Sequence, residues 1–181
     1  MKTCTILGTE IAVTTMEETV RYIEEHMEEL RGKYICVSNV HTTVTAYEDE
    51  SYRKVQNGAA FALPDGKPLS LYSKKHGFPE AERVTGPDLM GELFARENGL
   101  THYFYGGSEA TIRTLREKLP KEYPHLKIAG MVSPPYRPLT KEEDAAQVEA
   151  MNASGADIIW IGLGAPKQER YMFEHQGLTQ G

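Results

Sequence analysis

Cysteine is scarce: Cys4 and Cys36 are the only two in 181 residues, both inside strand-like runs and without metal-ligand spacing. That excludes a disulfide framework and a thiolate metal centre, and it reads as two reduced, buried thiols. Positive charge is not in excess either. Lys and Arg number 20 against 26 Asp and Glu, a net charge of −6. Up to Met90 the counts are 10 and 14, leaving 10 and 12, so neither half is a basic module of the kind that binds nucleic acid non-specifically. No apolar run approaches the roughly 20 residues of a membrane span, and no signal-peptide core precedes Glu17-Glu18. A cytoplasmic protein is expected, free to work at a membrane surface. The six His show no paired spacing with an acid, so no metal site is expected.

What is present is ordinary for a globular protein, 40% hydrophobic and 25% charged, and long enough for one domain over 1–181 with a real core. Thr3 to Thr14 reads as two short β segments around Gly8-Thr9-Glu10. Thr15 and Glu18 form a capping box for a helix with Met16, Val20, Ile23, Met27 and Leu30 on one face, stopped by Gly32. A strand over Tyr34–Val37, a helix from about Thr42 to Val55, a strand over Ala59–Leu63 and a helix over about Lys67–His76 follow. Gly86-Pro87 opens another helix, ending near Asn98-Gly99. Thr101–Tyr105 is a strand and Glu109–Leu119 a helix; Lys127–Ala129 is a short strand ending at Gly130. Three Pro keep Ser133–Pro138 out of a helix. Thr140 and Glu143 cap a helix ending near Ser154-Gly155, Asp157–Ile161 reads as a buried strand, and a last helix begins after Pro166. Alternation of this kind predicts an α/β, Rossmann-like fold with a largely parallel sheet and short N-terminal β segments.

Polar residues gather where strand-like runs end, which is where open α/β sheets place their chemistry. Asp65 follows the apolar run Ala59–Pro64, Asn39 and His41 follow Tyr34–Val37, and Arg83 leads into the Gly86-Pro87 helix. Arg83 lies between Glu80 and Glu82, so a surface ion pair competes with recognition of phosphate or carboxylate. His41 has no placed partner and is read as structural. Gly106-Gly107-Ser108 and Gly162-Leu163-Gly164 both stand between a strand and a helix, where backbone N–H groups can approach a phosphate; either alone reads more often as a plain tight turn, and the two together point towards a nucleotide or sugar-phosphate ligand. Neither is a full dinucleotide fingerprint, since Lys167 stands where a third Gly belongs. Pro166-Lys167-Gln168-Glu169-Arg170 is either a ligand-facing helix start or an exposed charged turn.

Taken in order, Asn39-Val40-His41-Thr42, Leu63-Pro64-Asp65-Gly66, Arg83–Leu89, Tyr105-Gly106-Gly107 and Gly162–Glu169 resemble the WecG/TagA/CpsF family of glycosyltransferases. The resemblance implies metal-independent, inverting transfer of N-acetylmannosamine from its UDP-sugar to N-acetylglucosamine on undecaprenyl diphosphate, forming a β-1,4 bond without a cofactor. It implies Asp65 as general base, Asn39 on sugar hydroxyls and Arg83 on diphosphate charge. Thr42, Thr43, Gly66, Gly106, Gly107, Ser108, Tyr136, Gly162, Gly164, Lys167, Gln168 and Glu169 would contact substrate. Burial behind an apolar strand is expected to raise the pKa of Asp65 and improve it as a base.

Family members continue well past the Lys-Gln-Glu helix into a basic, aromatic-rich segment tied to membrane docking and to completing the active site. The chain is therefore expected to be a catalytic core without that appendage. It would bind nucleotide, catalyse poorly and tend to self-associate through uncovered surface. The uronic acid of N-acetylmannosamine stays open as donor. A non-catalytic nucleotide-sugar module, with Asp65 only a helix cap, and a nicotinamide oxidoreductase are the competing classes.

Overall fold

The computed structural model describes residues 1–181. Strands β1 (Thr3–Ile6) and β2 (Thr9–Ala12) lead into α1 (Met16–Glu25) and α2 (Met27–Leu30); β3 (Ile35–Ser38) leads into α3 (Val40–Glu48) and α4 (Glu50–Asn57). Then β4 (Phe61–Pro64), α5 (Lys67–Lys75) and α6 (Gly86–Ala95) complete the first half. The second half runs β5 (Thr101–Gly106), α7 (Glu109–Glu122), β6 (Lys127–Val132), α8 (Lys141–Ala153), β7 (Ile158–Gly162) and α9 (Lys167–Glu174). The α/β alternation is as expected, and every strand pairing is parallel except β1 with β2.

The strands lie in two sheets, ordered β1-β2-β4-β3 and β6-β5-β7, where the pattern led us to expect one. Each sheet therefore turns an edge, β3 or β7, towards the other. This explains a second departure. β7 reads as a buried strand, yet Ile158 to Ile161 are only half-buried, because a cleft runs along their open side. Periodicity alone cannot tell a fully covered apolar strand from one that lacks a neighbour.

Other boundaries moved for local reasons. The capping boxes at Thr15 and Thr140 form as read. The first helix breaks at His26, which ends α1 and precedes α2. The expected single helix over 42–55 is two, since Asp49 stops α3 and its carboxylate accepts from the N–H groups of Ser51 and Tyr52 to start α4. β6 runs through Gly130 to Val132; the Tyr103 ring packs against that glycine, where a side chain would collide with it.

The core is continuous across the two sheets. Val20, Ile23, Leu63, Leu89 and Leu93 pack under the first sheet, and Ile158 and Trp160 of the second rest against them. Helix α9 follows the last strand of the second sheet but docks on the first. Arg170 reaches Asp49 at 2.8 Å and sits over the Tyr52 ring, and Phe173 meets Tyr34 edge-on. Asp49 thus both caps α4 and anchors α9. Asp49→Ala is expected to remove both contacts and destabilise the chain, read as a lowered urea midpoint at unchanged slope. Both cysteines are free and buried, and burial raises the Cys36 thiol well above its ordinary range, so it stays protonated and inert. No helix is long and apolar enough to cross a membrane.

Candidate active site

β3 and β4 pair in register up to Ser38 opposite Pro64, so the residues that follow them, Asn39 and Asp65, emerge side by side. The N–H of Asp65 donates to Ser38 O at 2.7 Å, and Gly66 comes close to Asn39. Asn39 caps α3: its Oδ1 accepts from Thr42 N at 3.1 Å, which leaves its Nδ2 uncommitted. Behind this corner is a buried polar relay. Ser38 Oγ donates to Gln56 Oε1, and Gln56 Nε2 donates to the hydroxyl of Tyr52 at 2.9 Å. With its polar groups satisfied, this relay holds the end of β3 rigidly.

Asp65 is partly buried, and burial raises its carboxyl above the usual carboxylate range, the direction expected from its place behind an apolar strand. Arg83 opposes the shift and Asp88 reinforces it, so both lie close enough to act on it. The segment carrying Arg83 is laid along the first sheet by Glu82 N to Thr14 O and Val84 N to Pro64 O. The partner of Arg83 is Asp88, at 3.6 Å, and neither Glu80 nor Glu82 pairs with it. Asp88 had no assigned role in the sequence; the signal was there in the start of α6, where Thr85 Oγ1 accepts from Asp88 N. Since Arg83 and Asp88 are both more than half exposed, their pair is weak and Arg83 remains available to an anion.

The two glycine turns also meet. Gly106 and Gly162 are opposite each other at the ends of β5 and β7, and Gly107 N donates to Gly162 O at 3.0 Å. Ser133 Oγ donates to Gly107 O, which brings the loop after β6 to the same end. Tyr136 in that loop is fully exposed. Ser108 caps α7 through Thr111 N. Val37 and Ile161, next to the ends of β3 and β7, line one apolar cleft between the two sheets, but none of Asn39, Asp65, Arg83, Gly106 and Gly162 lines it. Lys167, exposed, begins α9 after the Gly162–Gly164 turn.

Several residues expected to touch substrate are committed elsewhere. Thr42 and Thr43 are buried, and their hydroxyls bond to the backbone of Asn39, so they position Asn39 and do not face the opening. The Gln168 amide is taken at both ends, accepting from Gly164 N at 3.1 Å and donating to Glu169 Oε1 at 3.0 Å. Glu169 is buried beneath that turn, near Cys36 and Tyr52. His41 is exposed.

Residues 4–181 match the model of the glycosyl transferase WecG/TagA/CpsF family. The chain belongs to this family. It is 26% identical over 155 residues to an N-acetylglucosaminyldiphosphoundecaprenol N-acetyl-beta-D-mannosaminyltransferase of Bacillus spizizenii, a match covering 84% of this chain and 58% of that protein. The protein of the same description from Bacillus subtilis (strain 168) is 25% identical over 181 residues, covering 98% of this chain and 69% of its own length. These WecG/TagA/CpsF relatives are thus longer than the chain described here. The family match includes Asn39, Asp65, Arg83 and both glycine turns.

Proposed function

We propose that this chain is the catalytic core of an inverting glycosyltransferase. It moves N-acetylmannosamine from UDP-N-acetylmannosamine to the 4-hydroxyl of N-acetylglucosamine on undecaprenyl diphosphate, in the building of wall teichoic acid or a related surface polymer. The observation that carries this reading is Asp65: a carboxyl raised by burial, at paired strand ends, facing Arg83, in a chain of this family. Asp65 takes the proton from the acceptor hydroxyl as that oxygen bonds to the anomeric carbon. The bond from that carbon to the UDP oxygen breaks on the opposite face, which gives inversion and a β-1,4 link. UDP leaves as an anion. In this reading Arg83, Lys167 and the N-terminus of α9, which has no side-chain cap, stabilise it. Asn39 Nδ2 orients a sugar hydroxyl.

The acceptor is lipid-borne, so the protein works at the inner face of the membrane as a peripheral protein. Calorimetry of the 181-residue chain with UDP, UDP-N-acetylmannosamine and NADH tests the reading. UDP and its sugar are expected to bind and NADH to give no heat. Arg83→Ala is expected to weaken UDP about tenfold or more, as loss of a charge-assisted contact does. NADH binding, or silence towards UDP both here and in a longer chain, would overturn it.

A further inference from the structure

We propose that Glu169 is a positioning residue for the transfer reaction, the buried acceptor on which two hydrogen-bonded arms converge. One arm comes from the Asn39–Asp65 corner and the other from the Gly162–Gly164 turn. The positioning role rests on the transferase reading; the junction itself does not.

Glu169 is only 1% exposed, an uncommon place for a carboxylate. The nearest cations in the chain are spent elsewhere. Arg170 gives its guanidinium to Asp49 and Ser51, and Lys167 is exposed. A buried charge without a counter-ion is costly unless hydrogen-bond donors gather on it. Here those donors are neutral, and they arrive from two directions.

The first arm begins in β3. Ser38 Oγ donates to Gln56 Oε1 at 2.5 Å, and Gln56 Nε2 donates to the Tyr52 hydroxyl at 2.9 Å. Having accepted from Gln56, the Tyr52 oxygen has its own proton to give, and Glu169 is the acceptor it faces. Burial is the main reason that this hydroxyl is held protonated; the Glu169 charge comes next, and a hydrogen bond to Glu169 adds to it. The contact is loose, since Glu169 Oε2 has no donor in full hydrogen-bond geometry.

The second arm begins beyond β7. Gly164 N donates to Gln168 Oε1 at 3.1 Å, and Gln168 Nε2 donates to Glu169 Oε1 at 3.0 Å. A backbone N–H can only donate, so Gly164 fixes which way the Gln168 amide faces. A carboxylate can only accept, and it fixes the first arm in the same way. Tyr52 turns its proton to Glu169, Gln56 then gives Tyr52 its amide N–H, and the Gln56 carbonyl is left for Ser38. Every donor on either arm points inwards. With an amide at position 169 the first arm could run in either direction.

The outer ends of the arms reach the candidate chemistry. Ser38 O accepts from Asp65 N at 2.7 Å, and Asn39 is the next residue in the chain. Gly164 closes the turn that starts at Gly162, opposite Gly106. These ends belong to different sheets, and no strand pairing joins the two. Side chains of α4 and α9 therefore tie the base to the glycine turn where the strand ladders do not. Holding two such groups at a fixed separation matters more to transfer than to binding at either one, because a displacement of about 1 Å can cost as much as 10²-fold in rate.

Glu169→Gln tests this, with Tyr52→Phe as a milder second variant that keeps the ring beneath Arg170. Hydrogen exchange reads the junction without reference to activity. Glu169→Gln is expected to speed exchange of the Asp65 amide at least about threefold relative to the Phe104 amide of β5, and Tyr52→Phe should do the same to the Gly164 amide. Steady-state rates and calorimetry read the positioning. In Glu169→Gln, kcat should fall about tenfold or more while UDP affinity stays within about twofold. A residue that only supports the fold would lower the melting temperature, speed all amides together and leave kcat alone. That pattern, or amides that respond only to the variant on their own arm, would overturn the proposal. Coupled amides in a chain that is silent towards UDP would instead overturn the transferase reading, and with it the positioning role, leaving the junction standing.

Discussion

Asp65→Asn is expected to cut transfer by about 10²- to 10⁴-fold while leaving the chain folded and UDP bound, because the amide keeps the shape of the side chain and cannot take a proton. Initial rates with UDP-N-acetylmannosamine and a short-chain lipid analogue of the acceptor measure the first effect. Calorimetry with UDP measures the second. The pH dependence is the sharper signature. Burial holds the Asp65 carboxyl above its ordinary range, with Arg83 opposing. The acid limb of the rate profile should therefore fall at a pH above the unperturbed Asp value of about 3.9. Arg83→Ala should move that limb higher still, since it removes the charge that favours the carboxylate.

Stability should respond in the opposite sense from activity. The folded state holds the Asp65 proton more tightly than the unfolded chain does. Stability from this group is therefore present below the unfolded pKa and lost as pH rises through the folded one. At neutral pH the ionised side chain is a cost, so Asp65→Asn should leave the melting temperature unchanged or slightly raised. Full turnover in the Asn variant would remove Asp65 as the base and leave it a residue that only shapes the start of α5.

The largest structural effect is expected at Gly106→Ala. Its φ is +129°, which L side chains rarely adopt, and a Cβ there would stand 2.3 Å from Gly162 O, a backbone atom held in the β5–β7 ladder. No rotamer change relieves that collision; the strands must part. A cost of about 3–5 kcal/mol is expected, from backbone strain together with the broken pairing. Gly164→Ala is the matched control. Its φ of +80° is also positive, but nothing lies within 4 Å of the added carbon. The cost there should be only about 1 kcal/mol, the conformational penalty alone. Urea denaturation of the two variants separates collision from conformation, and equal losses would show that the approach of Gly106 to Gly162 is not what the glycine serves.

These contrasts mark how far the sequence could be read. The alternation of elements, the capping boxes at Thr15 and Thr140 and the strand ends bearing Asn39 and Asp65 were legible, because each depends on residues within a few positions of one another. The N-cap at Asp49 was equally local, but an apolar pattern continuing across it disguised the break as one long helix. What could not be read was long-range. The pairing of Arg83 with Asp88 was open to competing acids in the same stretch. The closing of Gln168 onto Gly164 and the burial of Glu169 depend on where α9 docks, which no spacing within α9 encodes. The division into two sheets was invisible for a related reason: β7 carries an interior strand's residues, and only its surroundings reveal the empty side.

The seating of α9 on the first half also sets the timing of synthesis. Arg170 and Asp49 are 121 residues apart in the chain, and the face of α4 that α9 covers includes the Tyr52 ring. At about 5–20 residues per second a ribosome makes that interval in roughly 6–24 s, far longer than helices and short loops take to form. For those seconds the nascent first half has its strands in hand and one flank bare. That flank of α4 is covered only once α9 has left the exit tunnel.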